Sequence, residues 1–235
     1  MPRLFRLTEW GCAFFVVLTA ASMAIYPGGS ISEPGSRGYS LSRNFLSDLG
    51  QTRTPTGAPN LPSMTLFAGA TVLTALALSA FFLGFAGLLR RGTPARRIAT
   101  AGAVCGGAAA ACFLGVAATP WNLFLPVHIG FVLWAFRAFL AAAALDYLAC
   151  LVARDLPRRF IVFFGFSSAV LLAYMLLLTV GPSPLTPEGS VVQAVAQKCV
   201  VYGSVFLVWL ESADLRRWVH GKRARAAGSG AARPH

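Results

Sequence analysis

The stretch 64–89, MTLFAGATVLTALALSAFFLGFAGLL, holds no charged residue and is followed at once by Arg90 and Arg91. A helix rises about 1.5 Å per residue, so about 20 apolar residues cover the roughly 30 Å of bilayer hydrocarbon. This run is therefore a membrane-crossing helix rather than a core helix of a soluble domain. Working outward, five further runs of comparable length and hydropathy stand at 10–26, 98–118, 127–152, 160–180 and 191–210. Thirteen of the 14 prolines fall outside the hydrophobic middles, where a missing N–H and a fixed φ break no helix, and the exception, Pro126, stands at the very start of the fourth run.

Composition agrees. The 235 residues are 56% hydrophobic and 12% charged, where soluble domains carry about a quarter charged residues. Their mean hydropathy is +0.65. A chain of this length cannot enclose that much apolar side chain in one water-surrounded core. Disordered, collagenous and disulfide-scaffold classes fail on the same counts. The expected fold is all-α, a polytopic transmembrane bundle of six helices over residues 1–215, followed by a basic, disordered tail over 216–235.

The net charge of +12 is resolved by where the charges sit. Fifteen of the 20 Lys and Arg fall at the two ends of the chain and in the loops after the second and fourth runs. Only Arg37, Arg43 and Arg53 lie in loops on the opposite side, and Arg137 and Lys198 lie inside runs. Basic loops are retained on the cytoplasmic side, so both termini are expected to be cytoplasmic in a multi-pass protein of the cell membrane. The basic tail lacks aromatic interleaving and any nucleic-acid motif, and is read as a topology determinant, not a nucleic-acid partner surface. Trp10, Tyr26, Trp121 and Trp209 stand at run ends as interfacial anchors. The first thirty residues also have the layout of a signal peptide, with small residues at Ala20, Ala21 and Ala24. The run 10–26 reaches spanning length and Met23 and Ile25 interrupt that pattern, so it is read as an uncleaved anchor. Five cysteines lie within or beside runs without a C-x-x-C pair, which points to packing rather than disulfides or metal, and no cofactor is expected.

Two patterns bear on packing. Gly102, Gly106 and Ala110 recur every four residues beside Gly107, Ala111 and Gly115, which lets helix backbones approach closely and makes the third span a central one. In the long first outer loop, 27–62, Leu41, Phe45, Leu46 and Leu49 make a one-sided stripe, Ser42 can cap a start and Gly50 suits a stop. A two-turn amphipathic helix over 42–50 is expected, with Asn44 and Asp48 on one side and Ser47 adjacent.

The phrases Gly38-Tyr39-Ser40, Asn44-Phe45-Leu46-Ser47-Asp48-Leu49-Gly50, Asn60, Ser63-Met64 and Leu66-Phe67 resemble a prokaryotic family of six-span membrane proteins, the domain of unknown function 998 family, distantly similar to the Frag/DRAM/Sfk group. The specific phrase covers about thirty residues. The resemblance implies an integral membrane protein and supplies no activity or catalytic residue.

Ionisable groups inside spans cost at least about 2.5 kcal/mol on insertion scales and mark candidate sites. Here they are His128, Arg137 and Asp146 in the fourth span, and Lys198 with Gln193 and Gln197 in the sixth. A helix turns about 100° per residue, so Arg137, nine residues from each, lies opposite both His128 and Asp146 and must find its partner elsewhere. Asp48 is the acidic residue at hand. Two buried cations against one carboxylate suggest an outward-facing polar pocket formed by Asn44, Ser47, Asp48, His128, Arg137, Gln197 and Lys198, suited to membrane lipid with an anionic headgroup. The alternative is structural: Asp48 bonds its own loop, Lys198 snorkels and the glutamines bond neighbouring helices. Three function classes are compatible with the sequence: a non-enzymatic lipid- or partner-binding bundle, which is favoured; a membrane-embedded enzyme with Ser47 as nucleophile and Asp48 or His128 as acid or base; and a small transporter. No catalytic or metal residue is assigned, since no catalytic motif is present and a single intramembrane histidine makes no metal cluster.

Overall fold

The computed structural model describes residues 1–153 and 155–231. Six helices account for nearly all of it: α1 Pro2–Ala24, α2 Leu61–Leu88, α3 Pro94–Ala118, α4 Trp121–Val152, α5 Arg158–Val180 and α6 Pro187–Ala231. All six are long and apolar enough to cross a membrane, α6 through its portion Pro187–Lys222. The multi-pass architecture expected from hydropathy is thus the one observed.

Helix ends follow the punctuation. Proline occupies the first turn of α1, α2 and α3, where its missing N–H removes no hydrogen bond. Thr93 caps α3, its hydroxyl accepting from the Arg96 amide at 3.2 Å. Helices run beyond the apolar stretches, as at Pro2 and Pro187, because hydropathy marks the hydrocarbon-crossing part and not the backbone that continues into the interface. Pro126 leaves one backbone carbonyl of α4 without a donor, and the helix is broken at Phe124 (φ −132°, ψ 43°).

Each helix packs on its neighbour in sequence and α6 closes on α1, so the six form a ring in chain order. Glu9 of α1 and Arg216 of α6 make a two-bond ion pair, at 2.7 and 3.1 Å, that ties the first and last helices. The chain ends therefore lie together, with the α2–α3 and α4–α5 turns at the same end of the bundle. The long α1–α2 loop and the α3–α4 and α5–α6 turns lie at the other.

The ring is filled by phenylalanine: Phe81, Phe82 and Phe85 of α2, Phe136 and Phe139 of α4 and Phe164 of α5 are buried, with edge-on contacts such as Phe82–Phe139 at 6.1 Å. Small residues on α3 make room for them. Gly106 lies against Phe82, and Gly102 against the Asp146 carboxyl and the Ala142 carbonyl, while Gly107 faces open space. The helix most enclosed by the others is α2, not α3, whose position is between α2 and α4. Small residues mark where large ones enter; they do not put their own helix at the centre.

Two further expectations change. The two-turn loop helix is instead one 3₁₀ turn, η1, over Leu46–Gly50. Phe45 is extended (φ −73°, ψ 155°), and its amide donates to the Asp48 carboxylate at 3.0 Å, so the turn starts at Leu46 and not at Ser42. The sixth helix also continues through the segment expected to be disordered from Arg216. Trp218 packs edge-on to Phe160 at 6.1 Å and Val219 is buried, so apolar contacts hold this part of the helix. Residues 232–235 of the expected tail lie outside the described residues.

Candidate functional site

The long loop folds into a cap over one end of the ring. Its turn begins at Gly28 and Gly29, both at positive φ, and a Cβ on Gly28 would stand 2.4 Å from the Ser36 carbonyl. The Gly29 carbonyl then accepts from Tyr26 Oη at 3.1 Å and Asn44 Nδ2 at 2.7 Å. Asn44 is fully buried and also takes the Ser40 amide on its Oδ1 at 2.9 Å. Asn60, at the start of α2, donates to the carbonyls of Leu49 and Gln51 at 3.0 and 2.9 Å.

Asp48 is the hub. With 1% of its surface exposed, it accepts from Asn44 Nδ2 (2.8 Å) and the Phe45 amide (3.0 Å) on one oxygen, and from Trp121 Nε1 (3.1 Å) and Gln51 Nε2 (3.3 Å) on the other. Burial raises its pKa from 3.8 to about 6, against these four bonds, which favour the charged form. The hydrated carboxyl of an opened loop ionises first, so the closed cap is strongest at acid pH and weakens as pH rises through about 6. Between about pH 4 and about pH 7 the loss is about 3 kcal/mol. Heat unfolding followed by tryptophan fluorescence from about pH 4 to about pH 7 is expected to show a falling midpoint, and Asp48→Asn to flatten it. An equal slope in both proteins overturns the assignment.

Helix α6 holds the cap from below. Gln197 accepts the Leu46 amide on Oε1 at 2.7 Å. Lys198, 7% exposed, donates to the Asn44 carbonyl and to Ala194 O at 2.9 Å, with its ammonium 5.5 Å from the centre of the Tyr39 ring. The cation therefore reaches Asp48 through Asn44 and not by direct ion pairing.

The other candidates are elsewhere. Arg137 is exposed on the outside of the ring and stacks over Trp134 at 5.3 Å. His128 is buried, its Nδ1 2.7 Å from the Thr119 carbonyl, which makes Nδ1 the donor and leaves Nε2 without a partner. Gln193 donates to Leu177 O and Pro182 O, closing the α5–α6 turn. Of the seven residues expected to share one polar pocket, Asn44, Asp48 and Lys198 form the buried part of the cap. Ser47 and Gln197 line a cavity, and Arg137 and His128 face neither.

That cavity lies directly under η1, inside the ring, with a volume of about 100 Å³. Ser47 and Gln197 are at its capped end, and its walls are Cys12, Phe15, Phe67, Leu78, Val132, Phe136 and the Val201–Val208 face of α6. A smaller void continues it: Phe139, Ser204 and Val208 line both, and the second ends on Ser167 and Glu211. The sequence reading missed Glu211 because it lies one residue past the apolar run ending at 210. A repeat on α6 does reveal it: Gln197, Ser204 and Glu211 are seven apart and fall on one helical face. Trp121, read as an interfacial anchor, is a hydrogen-bond donor to the cap.

No protein-family model, curated protein or solved structure matches this chain.

Proposed function

We propose that this multi-pass membrane protein binds an apolar chain of a membrane lipid or similar amphiphile inside its helical ring. The supporting observation is the capped apolar cavity. A void lined by aliphatic and aromatic groups, of the order of 100 Å³, forgoes dispersion contacts that hydrocarbon would restore. The excess of arginine beside the chain ends supports a cap on the outer face of the cell membrane and chain ends in the cytoplasm. Kinship with the domain of unknown function 998 family, carried by the cap residues, is part of the same proposal. In this reading Asp48 and Lys198 hold the cap shut and do no chemistry. Ser47 makes no hydrogen bond to Asp48 or His128, as a nucleophile with its base would.

Ser204→Phe, at the junction of the two voids, tests it. Protein purified in mild detergent and extracted for mass spectrometry is expected to yield a chain-bearing molecule at near-equal molar ratio from the wild type. The variant should lose it, with its unfolding midpoint unchanged or raised. Identical extracts from both proteins overturn the proposal.

A further inference from the structure

Among the described residues, the inner part of the ring holds two buried acids, Asp146 and Glu211, with no base paired to either. Glu211 is 1% exposed, and among the described residues its one hydrogen-bond partner is Ser167, whose hydroxyl donates to Oε1 at 2.9 Å. Asp146 is fully buried against Gly102, and neither of its oxygens has a partner among the described residues. The two lie within electrostatic reach of one another, and Cys150 is the other titratable group beside them. The ion pairs among the described residues are Arg43–Glu33, Arg159–Asp214 and Arg216–Glu9, and none involves either acid. In a chain of net charge +12, these two buried acids have no cationic partner among the described residues.

Glu211 also terminates the void that continues the cavity, and Phe81, Phe82, Phe139 and Phe164 are among the residues that line that void. A carboxylate beside aromatic rings is the recognition chemistry of an organic cation, because a ring that presents its face adds to the attraction. An anion is repelled twice over. A hydrated metal ion would have to shed its water beside four phenylalanines and one hydroxyl. An alkyl chain, by contrast, continues naturally up the apolar walls: Gln197 and Glu211 are fourteen residues apart on α6, about 21 Å along the helix axis.

We propose that the amphiphile held in the ring is cationic, an alkylammonium whose charged end meets Glu211 among the phenylalanine rings and whose chain runs toward the cap, with Asp146 strengthening the negative field. This rests on the chain-binding reading and supplies the sign of the ligand's charge. The test uses full-length protein in lipid nanodiscs with octylammonium and 1-octanol, which share a chain and differ in charge. Octylammonium is expected to raise the unfolding midpoint at concentrations at least tenfold below those of octanol, and Glu211→Gln, which keeps the bond to Ser167, to erase that difference. Equal potency of the two in the wild type overturns the cationic assignment and leaves the apolar site standing. No shift with either, together with Ser204→Phe extracts like those of the wild type, overturns both. A shift with sodium chloride matching that with octylammonium assigns the acids to a metal ion and overturns the proposal. The wild-type comparison needs no variant to fold.

Discussion

Asp48→Ala is expected to lower the stability of the purified protein by about 3 kcal/mol, several times the effect of Asp48→Asn. Four donors converge on this carboxylate, from Asn44, Phe45, Gln51 and Trp121. Alanine leaves them buried and unmatched, and each unsatisfied group costs about 1–3 kcal/mol, offset in part where water can reach it. Asparagine retains one acceptor oxygen and the side-chain shape. Because Trp121 belongs to α4 and Asp48 to the cap, the loss is felt between elements and not only within the loop. Denaturant unfolding followed by Trp121 emission measures it, with a red shift in the folded baseline marking water at the indole. An alanine variant as stable as the wild type would show that the cap is not held through this residue.

Gly106→Leu is expected to cost about 3 kcal/mol or more, while Gly107→Leu, its immediate neighbour, stays within about 0.5 kcal/mol of the wild type. A Cβ on Gly106 would stand 2.2 Å from Phe82 Cδ2, closer than side chains ever approach. Phe82 cannot step aside. It is 1% exposed and held edge-on by Phe81 at 5.2 Å and Phe139 at 6.1 Å. Gly107 meets nothing within 4 Å. The two glycines are alike in composition and helix propensity, so a difference between them reports packing alone. Equal unfolding midpoints for the two variants would place α3 in a different rotation.

Much of this was legible in the residue order. Long apolar runs with proline near their ends set the number and sequence positions of the helices, since lipid leaves a backbone few alternatives. The phase argument on α4 also held: Arg137 faces outward, opposite His128 and Asp146, which are buried. Its partner was the less legible part, being the ring of Trp134 three residues earlier rather than a group on another span. The site was read less well. Asn44, Asp48 and Lys198 are rare, costly groups and drew notice for that reason. Yet polarity alone does not tell whether a group faces a ligand or its own backbone. Here each carbonyl and amide of the cap needed a partner, and these side chains supply it. The cavity itself is made by apolar residues at ordinary helical spacing, which in a membrane chain look like all the others. Only where a polar stripe crosses that background, at Gln197, Ser204 and Glu211, does the sequence betray it.

The closure of the ring between its first and last helices has a consequence for biosynthesis. Most other helix packing joins neighbours in sequence, so each helix leaving the ribosome meets its main partner already inserted, and short-range association can keep pace with translation. The seal is different. Gln197 and Lys198, which clasp the cap, and Arg216, which meets Glu9, all arrive with α6. Until then the nascent protein is an open five-helix arc with its cavity wall missing, and any molecule to be enclosed has its widest path inward during that interval.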